Sequence, residues 1–265
     1  MAETSIRRVL IFGKTGSGKS TLANMLVSGG LDEQRFAMGD SMQGVTNKCS
    51  TLSGSEYEVT DTVGLGEETD SERKDAKRMI IHFLKITRCS YHHIIFVKRA
   101  GRQDKLDTAL WKIFLKTFKG DKKANFHEDA YRGMVLVLTG CPNPENWLDA
   151  EKGHLEENYK EVKKRFIGVD FPPISDDAEV EIHQSRRRSN HLMILKQSLD
   201  KLYHENGELA FEPRYSRLND LELEQFAEKL LEQILKISRG VGIAVEFVLK
   251  VLFVVGASLL VNMGS

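Results

Sequence analysis

Net charge is absent from this chain: among 265 residues, 38 lysines and arginines balance 38 aspartates and glutamates. A protein that follows a nucleic-acid backbone carries a basic excess, so that class of partner is excluded. The cluster Arg186-Arg187-Arg188 is too short to alter this and reads as part of a solvated loop. Cysteine is scarce. Cys49, Cys89 and Cys141 are odd in number and lack metal-ligand spacing, which excludes a disulfide framework and fits reduced thiols in a cytosolic protein. Met1 to Arg8 lacks the apolar core of a secretory signal. The N-terminal part of the chain is therefore expected in the cytosol. Long apolar runs are missing except near the C-terminus. With 41% hydrophobic and 29% charged residues, composition and length suit one large α/β domain with an appendage.

What is present begins with Gly13-Lys14-Thr15-Gly16-Ser17-Gly18-Lys19-Ser20, directly after the apolar run Val9-Leu10-Ile11-Phe12. This is a complete phosphate loop between a strand and a helix. Glycines let backbone N–H groups turn inward toward anionic phosphates, with the N-terminus of the next helix adding its dipole. Lys19 bridges the β- and γ-phosphates in this arrangement, and the Ser20 hydroxyl is offered to Mg2+. Thr21, in the first turn of the helix, is assigned to the nucleotide as well.

Further motifs follow at suitable distances. Phe36 to Thr46 is an irregular polar segment, and Thr46 lies where a P-loop GTPase places the threonine that closes on Mg2+ and the γ-phosphate. Tyr57-Glu58-Val59-Thr60 is a short strand running into Asp61-Thr62-Val63-Gly64. This D-x-x-G element lies about forty residues after the loop lysine, a spacing that suits a small GTPase domain. Asp61 would hold Mg2+ through water, and the Gly64 amide would sense the γ-phosphate. Leu65 stands where many Ras-like proteins carry a glutamine, so slow intrinsic hydrolysis is expected.

Downstream, Thr69 and Glu72 form a capping box for a helix reaching about Thr87. His93 to Val97 is a buried strand, and His92 and His93 are structural. A helix follows with Leu106, Leu110, Ile113 and Phe114 on one face. Met134 to Thr139 is a central strand. Next come a helix through Leu155, Tyr159 and Val162, and a strand from Phe166 to Asp170. Pro172 to Arg188 reads as a polar loop, with Ser189 or Asn190 capping a helix that stops at Asn206-Gly207. The alternation of strands and helices predicts a parallel sheet covered on both faces.

Residues 6–210 resemble the septin-like GTPases of the immunity-associated type, the AIG and GIMAP group within the TRAFAC class, related to chloroplast import-receptor GTPases. The resemblance rests on the Val9 to Ser20 start, Val45-Thr46 with Cys49, Asp61-Thr62-Val63-Gly64, Ile94 to Arg102 with its helix, and Leu199 to Gly207. It implies an α/β P-loop NTPase fold with a Ras-like, parallel-rich sheet and a C-terminal helical extension. It further implies GTP bound with Mg2+, the metal held at Ser20, Thr46 and Asp61, and a homodimer paired across its nucleotide faces. Lys19, Thr46 and Arg102 become the catalytic set, Arg102 as an arginine finger reaching the partner's γ-phosphate. From the residues alone, Arg102 is an exposed helix-start residue.

The chain departs from the pattern at Thr139-Gly140-Cys141-Pro142, where proline occupies the place of the aspartate that reads guanine. Losing that acceptor costs about 1.5 to 3 kcal/mol. Asn143 and Glu145 are alternative acceptors, and Asp170 lies near the fifth motif as a candidate for lining the base pocket with Thr139. GTP remains the expected ligand. A non-hydrolysing scaffold and a protein of relaxed purine specificity are the alternatives.

Residues 211–238 form an amphipathic extension, with Leu223, Phe226, Leu230, Ile234 and Ile237 on one side. Packing on the G domain or on a partner helix is expected rather than contact with a membrane surface. Residues 241–262 are apolar apart from Glu246 and Lys250. These two lie one turn apart, so they can pair and lean to the interface. A membrane anchor displaying the domain on the cytosolic face of an internal membrane is the expectation, a buried helix its competitor.

Overall fold

The first strand, β1 (Arg7–Gly13), is apolar almost throughout and becomes a central strand buried on both faces. The computed structural model describes residues 6–14, 16–30, 50–61, 73–101, 105–119, 129–141, 143–162 and 165–241. In chain order, β1 is followed by α1 (Lys19–Ser28), β2 (Ser50–Ser53), β3 (Tyr57–Asp61) and α2 (Arg73–Ile86). Then come β4 (His93–Arg99), α3 (Lys105–Phe118), β5 (Met134–Thr139), α4 (Pro144–Asn158) and β6 (Phe166–Gly168). Two long helices, α5 (Ala178–Glu205) and α6 (Asp220–Val241), close the described chain. The sheet runs β2-β3-β1-β4-β5-β6. All neighbours are parallel except β2 and β3. The fold class read from the sequence holds, with one correction: the alternation rule missed an antiparallel edge strand, because β2 joins β3 without an intervening helix.

Alternation along each strand divides the interior into two layers. Leu10, Phe12, Ile94, Phe96, Leu136 and Leu138 face α2, α3, α4 and α6, where Phe83, Phe114 and Phe118 fill the space. Val9, Ile11, Ile95, Val97, Val135 and Val137 face α1 and α5, against Leu22, Leu26, Leu195 and Leu199. The parallel strands therefore end together along one edge, where loops after β1, β4, β5 and β6 converge.

Helix α5 starts about a turn and a half of chain after Pro173 and well before Ser189, which corrects the loop expected over 172–188. Its N-cap is Asp177, whose carboxylate accepts from the amides of Glu179 and Val180. The early turns lack an apolar face, so hydrophobic periodicity could not reveal them. The arginine cluster is likewise not solvated loop. Arg188 is buried, pairs with Glu181 and donates to the Pro172 and Pro173 carbonyls at 3.2 and 3.1 Å. Strand β6 also stops at Gly168, two residues short of the expected end.

The segment after α5 folds back onto the domain. The Tyr91 amide donates to the Phe211 carbonyl at 2.8 Å, and the Phe211 amide returns the bond. Only glycine fits at position 133, since a Cβ there would lie 2.4 Å from Phe211 Cβ. The Tyr215 and Thr87 hydroxyls lie 2.9 Å apart in the interior. Helix α6 then packs on α2 and α3, placing Leu223, Ala227, Leu230, Leu231 and Ile234 in the same core as Phe83 and Phe114.

His92 and His93 have structural places. The His92 Nδ1 accepts from the Arg8 amide at 2.8 Å. His93 is fully buried on β4, and neither ring nitrogen has a hydrogen-bond partner among the described residues. Burial, reinforced by His92 and Arg7, pushes its pKa down to about 3. The native state thus holds a neutral ring, while the unfolded chain protonates near 6.5. Stability from this site is complete above about pH 6.5 and is lost as pH falls toward 3, at up to about 1.4 kcal/mol per pH unit. Urea melts at pH 7.5 and pH 5 are expected to show a smaller acid loss in His93→Leu than in the parent; equal losses would contradict a buried neutral ring.

Candidate functional site

The C-terminal edge of the sheet carries the phosphate loop. As β1 ends, the backbone passes so close to β4 that a Cβ at Gly13 would lie 2.3 Å from the Val97 carbonyl oxygen. Gly16 and Gly18 take left-handed conformations, with φ of 73° and 88°, which curl the chain into the start of α1. The Ser17 amide donates to the Lys14 carbonyl at 3.1 Å, closing the turn. Gly18 caps α1 without any side-chain hydrogen bond. The N-terminus of α1, with its helix dipole, therefore opens at the loop.

Lys19 supplies the cation. Its side chain is drawn into the loop, with Nζ donating to the Lys14 carbonyl at 3.0 Å, and the residue is only 5% exposed. An ammonium so withdrawn from water suits an anion of matching charge. Ser17 is also buried, and its Oγ has no hydrogen-bond partner among the described residues. An orphaned hydroxyl and a buried cation in a glycine-lined turn fit a phosphate group.

Thr139 joins from behind the loop. Its hydroxyl donates to the Ser17 carbonyl at 2.6 Å, and its methyl lies 3.3 Å from where a Cβ at Gly18 would sit. It holds the loop against β5. Beyond it, the Cys141 amide donates to the Val169 carbonyl at 3.1 Å, so the ends of β5 and β6 lie side by side. Burial and nearby Asp170 push the Cys141 thiol up to about 11, leaving it an inert thiol. The Asp170 carboxylate lies 2.7 Å from Arg187 of α5, and its amide donates to His191 Nδ1 at 2.6 Å. Desolvation lowers the His191 pKa, which keeps that nitrogen an acceptor.

Other predicted positions have different standing. Ser20 and Thr21 lie in the first turns of α1, and Asp61 ends β3, in register with Ile11 of β1. Thr15, Thr46, Gly64, Leu65, Arg102 and Pro142 lie outside the described residues. Serine and aspartate, at the start of α1 and the end of β3, are residue types whose hard oxygen donors Mg2+ takes. Among the described residues no cluster of histidine, cysteine and carboxylate side chains could hold another metal.

Sequence reasoning overlooked a buried ion pair between Lys98, near the end of β4, and Asp107 of α3, at 3.1 Å. The signal was a lysine inside an apolar strand followed by an aspartate in the first helical turn. The pair ties the end of β4 to the first turn of α3. It also lines a cavity of about 260 Å3 between Lys14, Gly16 and Ser17 on one side and Lys98 to Gly101 on the other. A larger cavity of about 500 Å3 lies beside it under α4, lined by Trp147, Glu151, His154 and Asn158. It has no lining residue from the phosphate loop.

The AIG1 family model matches residues 7–207. No curated protein gives a significant match. Among solved structures, the chain is similar to Toc33 from Arabidopsis thaliana, a complex with GDP and Mg2+, at 16% identity and a TM-score of 0.44, covering 78% of this chain and 87% of that one. It is similar to a probable GTP-binding protein, engB, at 14% identity and a TM-score of 0.43, covering 75% of this chain and 99% of that one. The G domain of the T. maritima FeoB iron transporter follows at 13% identity and a TM-score of 0.38, covering 74% and 98%.

Proposed function

This chain belongs to the AIG1 family, and from that premise we propose that it binds GTP with Mg2+ at the Lys19 cradle and hydrolyses it slowly, faster when two copies pair across their nucleotide faces. The observation that carries this is the buried Lys19 ammonium, held at 3.0 Å on the Lys14 carbonyl inside a glycine-lined turn at the start of α1. A triphosphate places negative charge where that cation and the first amides of α1 stabilise it. Thr139 keeps the loop seated through the Ser17 carbonyl. Magnesium, held by Ser20, Asp61 and Thr46, would neutralise charge on the phosphate oxygens.

Leu65 cannot orient an attacking water, which is why a slow single copy is proposed. Arg102 of a second copy would supply the missing positive charge. Display on an internal membrane, facing the cytosol, is supported by the apolar composition of residues 242–261. Those residues lie outside the described part. No described helix is long and apolar enough to cross a membrane.

Turnover of GTP by the purified full chain at low and high protein concentration tests this reading. Activity per molecule is expected to rise with concentration, and Arg102→Ala to abolish the rise while leaving GTP affinity unchanged. Binding without turnover at any concentration would favour the non-hydrolysing scaffold, for which Leu65 speaks.

A further inference from the structure

The cavity beside the phosphate loop contains one cation that the site described above does not use. Arg99 is the last residue of β4, and its side chain is exposed to the cavity lined by Lys14, Gly16 and Ser17. Its neighbour Lys98 is already neutralised by Asp107 at 3.1 Å. Arg99 has no ion-pair partner among the described residues. Its side chain extends sideways toward the first residue after β5. A Cβ built at Gly140 would stand 3.8 Å from both Cγ and Nε of Arg99. Gly140 has a φ of 69° and no side chain, so the arginine lies along the face that a side chain there would have covered.

This position defines what the guanidinium can touch. Phosphates belong at the Lys19 cradle on β1, and the order β1-β4-β5-β6 carries the rest of a nucleotide across β4 toward the ends of β5 and β6. Arg99 stands at that crossing, over the turn at Gly140. Past that turn lie the ends of β5 and β6, where the Cys141 amide donates to the Val169 carbonyl and Asp170 pairs with Arg187. Position 142, after Cys141, is a proline and offers no side-chain acceptor to a base edge. A planar guanidinium stacks on an aromatic face whatever groups its edge carries.

We propose that Arg99 is a nucleotide-binding residue whose guanidinium stacks on the purine, so that the base is held by its plane more than by its edge. The inference rests on the reading of residues 13–20 as a triphosphate site. It names the ligand class as purine nucleotides with weak discrimination between guanine and adenine. Arg99 thereby performs from β4 the base-holding role that the turn at Gly140 cannot supply.

Affinities of GTP, ATP and inorganic tripolyphosphate for the full chain test this, measured by competition against a fluorescent GTP derivative in parent, Arg99→Ala and Arg99→Lys. The alanine variant is expected to bind GTP and ATP about tenfold more weakly, by a similar factor for each, with tripolyphosphate unchanged. Lysine, which keeps the charge without the plane, is expected to recover little. An equal loss for tripolyphosphate would assign the guanidinium to the phosphates and overturn the proposal, as would unchanged purine affinity in the alanine variant. Matching circular dichroism and melting temperature keep a folding defect from imitating the result. If the parent itself bound no purine triphosphate, the nucleotide reading would fall first, a failure visible before any variant is compared.

Discussion

Replacing Lys19 by alanine is expected to weaken GTP binding by about 3 kcal/mol, roughly a hundredfold or more in dissociation constant. The size follows from burial. At 5% exposure the ammonium is shielded from water, and its Nζ is already positioned by the Lys14 carbonyl at 3.0 Å. A charge in such a place meets a phosphate at low effective dielectric and without the cost of ordering a free side chain. Lys19→Arg is not expected to rescue, because a planar fork cannot occupy the space of a compact ammonium inside the turn. Calorimetry with GTP and Mg2+ measures the loss. The ligand-free variant should melt close to the parent, since the glycine turn and the Thr139 tie do not depend on the lysine. Unchanged GTP affinity in a folded alanine variant would remove the Lys19 cradle from the account.

Truncating Ile234 to alanine is expected to destabilise the whole domain by about 3 kcal/mol. Ile234 is fully buried on α6, in one continuous core with Leu223, Leu230, Phe83 and Phe114. Removing three carbons there leaves a void that α2, α3 and α6 cannot close without moving one another. For a domain of this length the melting midpoint should drop by about 6 to 12 °C. The ion pair between Lys77 and Glu228, at 3.2 Å and partly exposed, adds little by comparison. Thermal denaturation followed by circular dichroism decides the matter. A single transition shifted by that amount is the expected outcome. An unshifted main transition would mean that α6 is held only loosely and that the rest of the domain folds without it.

The two results would probe parts of the chain that differ in how openly the sequence displays them. The phosphate loop needs eight consecutive residues in one order, and it could be read directly. Helix α6 was visible through its apolar period, but not the surface it covers, since a stripe of Leu223, Leu230 and Ile234 suits a partner or a lipid as well as α2 and α3. Arg188 was misread because its partners, Glu181 and two proline carbonyls, lie a turn or more away in a segment without periodicity. At the site itself, Lys19 and Ser20 were evident, whereas the Lys98–Asp107 pair and the side chain lying over Gly140 were not.

Order along the chain therefore determined the strand, the glycine turn and the cation, because backbone conformation and local hydrogen bonding depend on near neighbours. It also determined the sheet covered on both faces, through the near-continuous apolar runs of β1, β4 and β5 and the helices that alternate with them. Only the folded molecule decided which charges are neutralised and which stay available. Lys98 and Arg99 are adjacent in sequence, yet opposite sides of a strand direct one to Asp107 and the other to Gly140. Their different roles come from what the sheet and α3 bring within a few ångströms, and electrostatics at that range depends on distance and burial rather than on order in the chain.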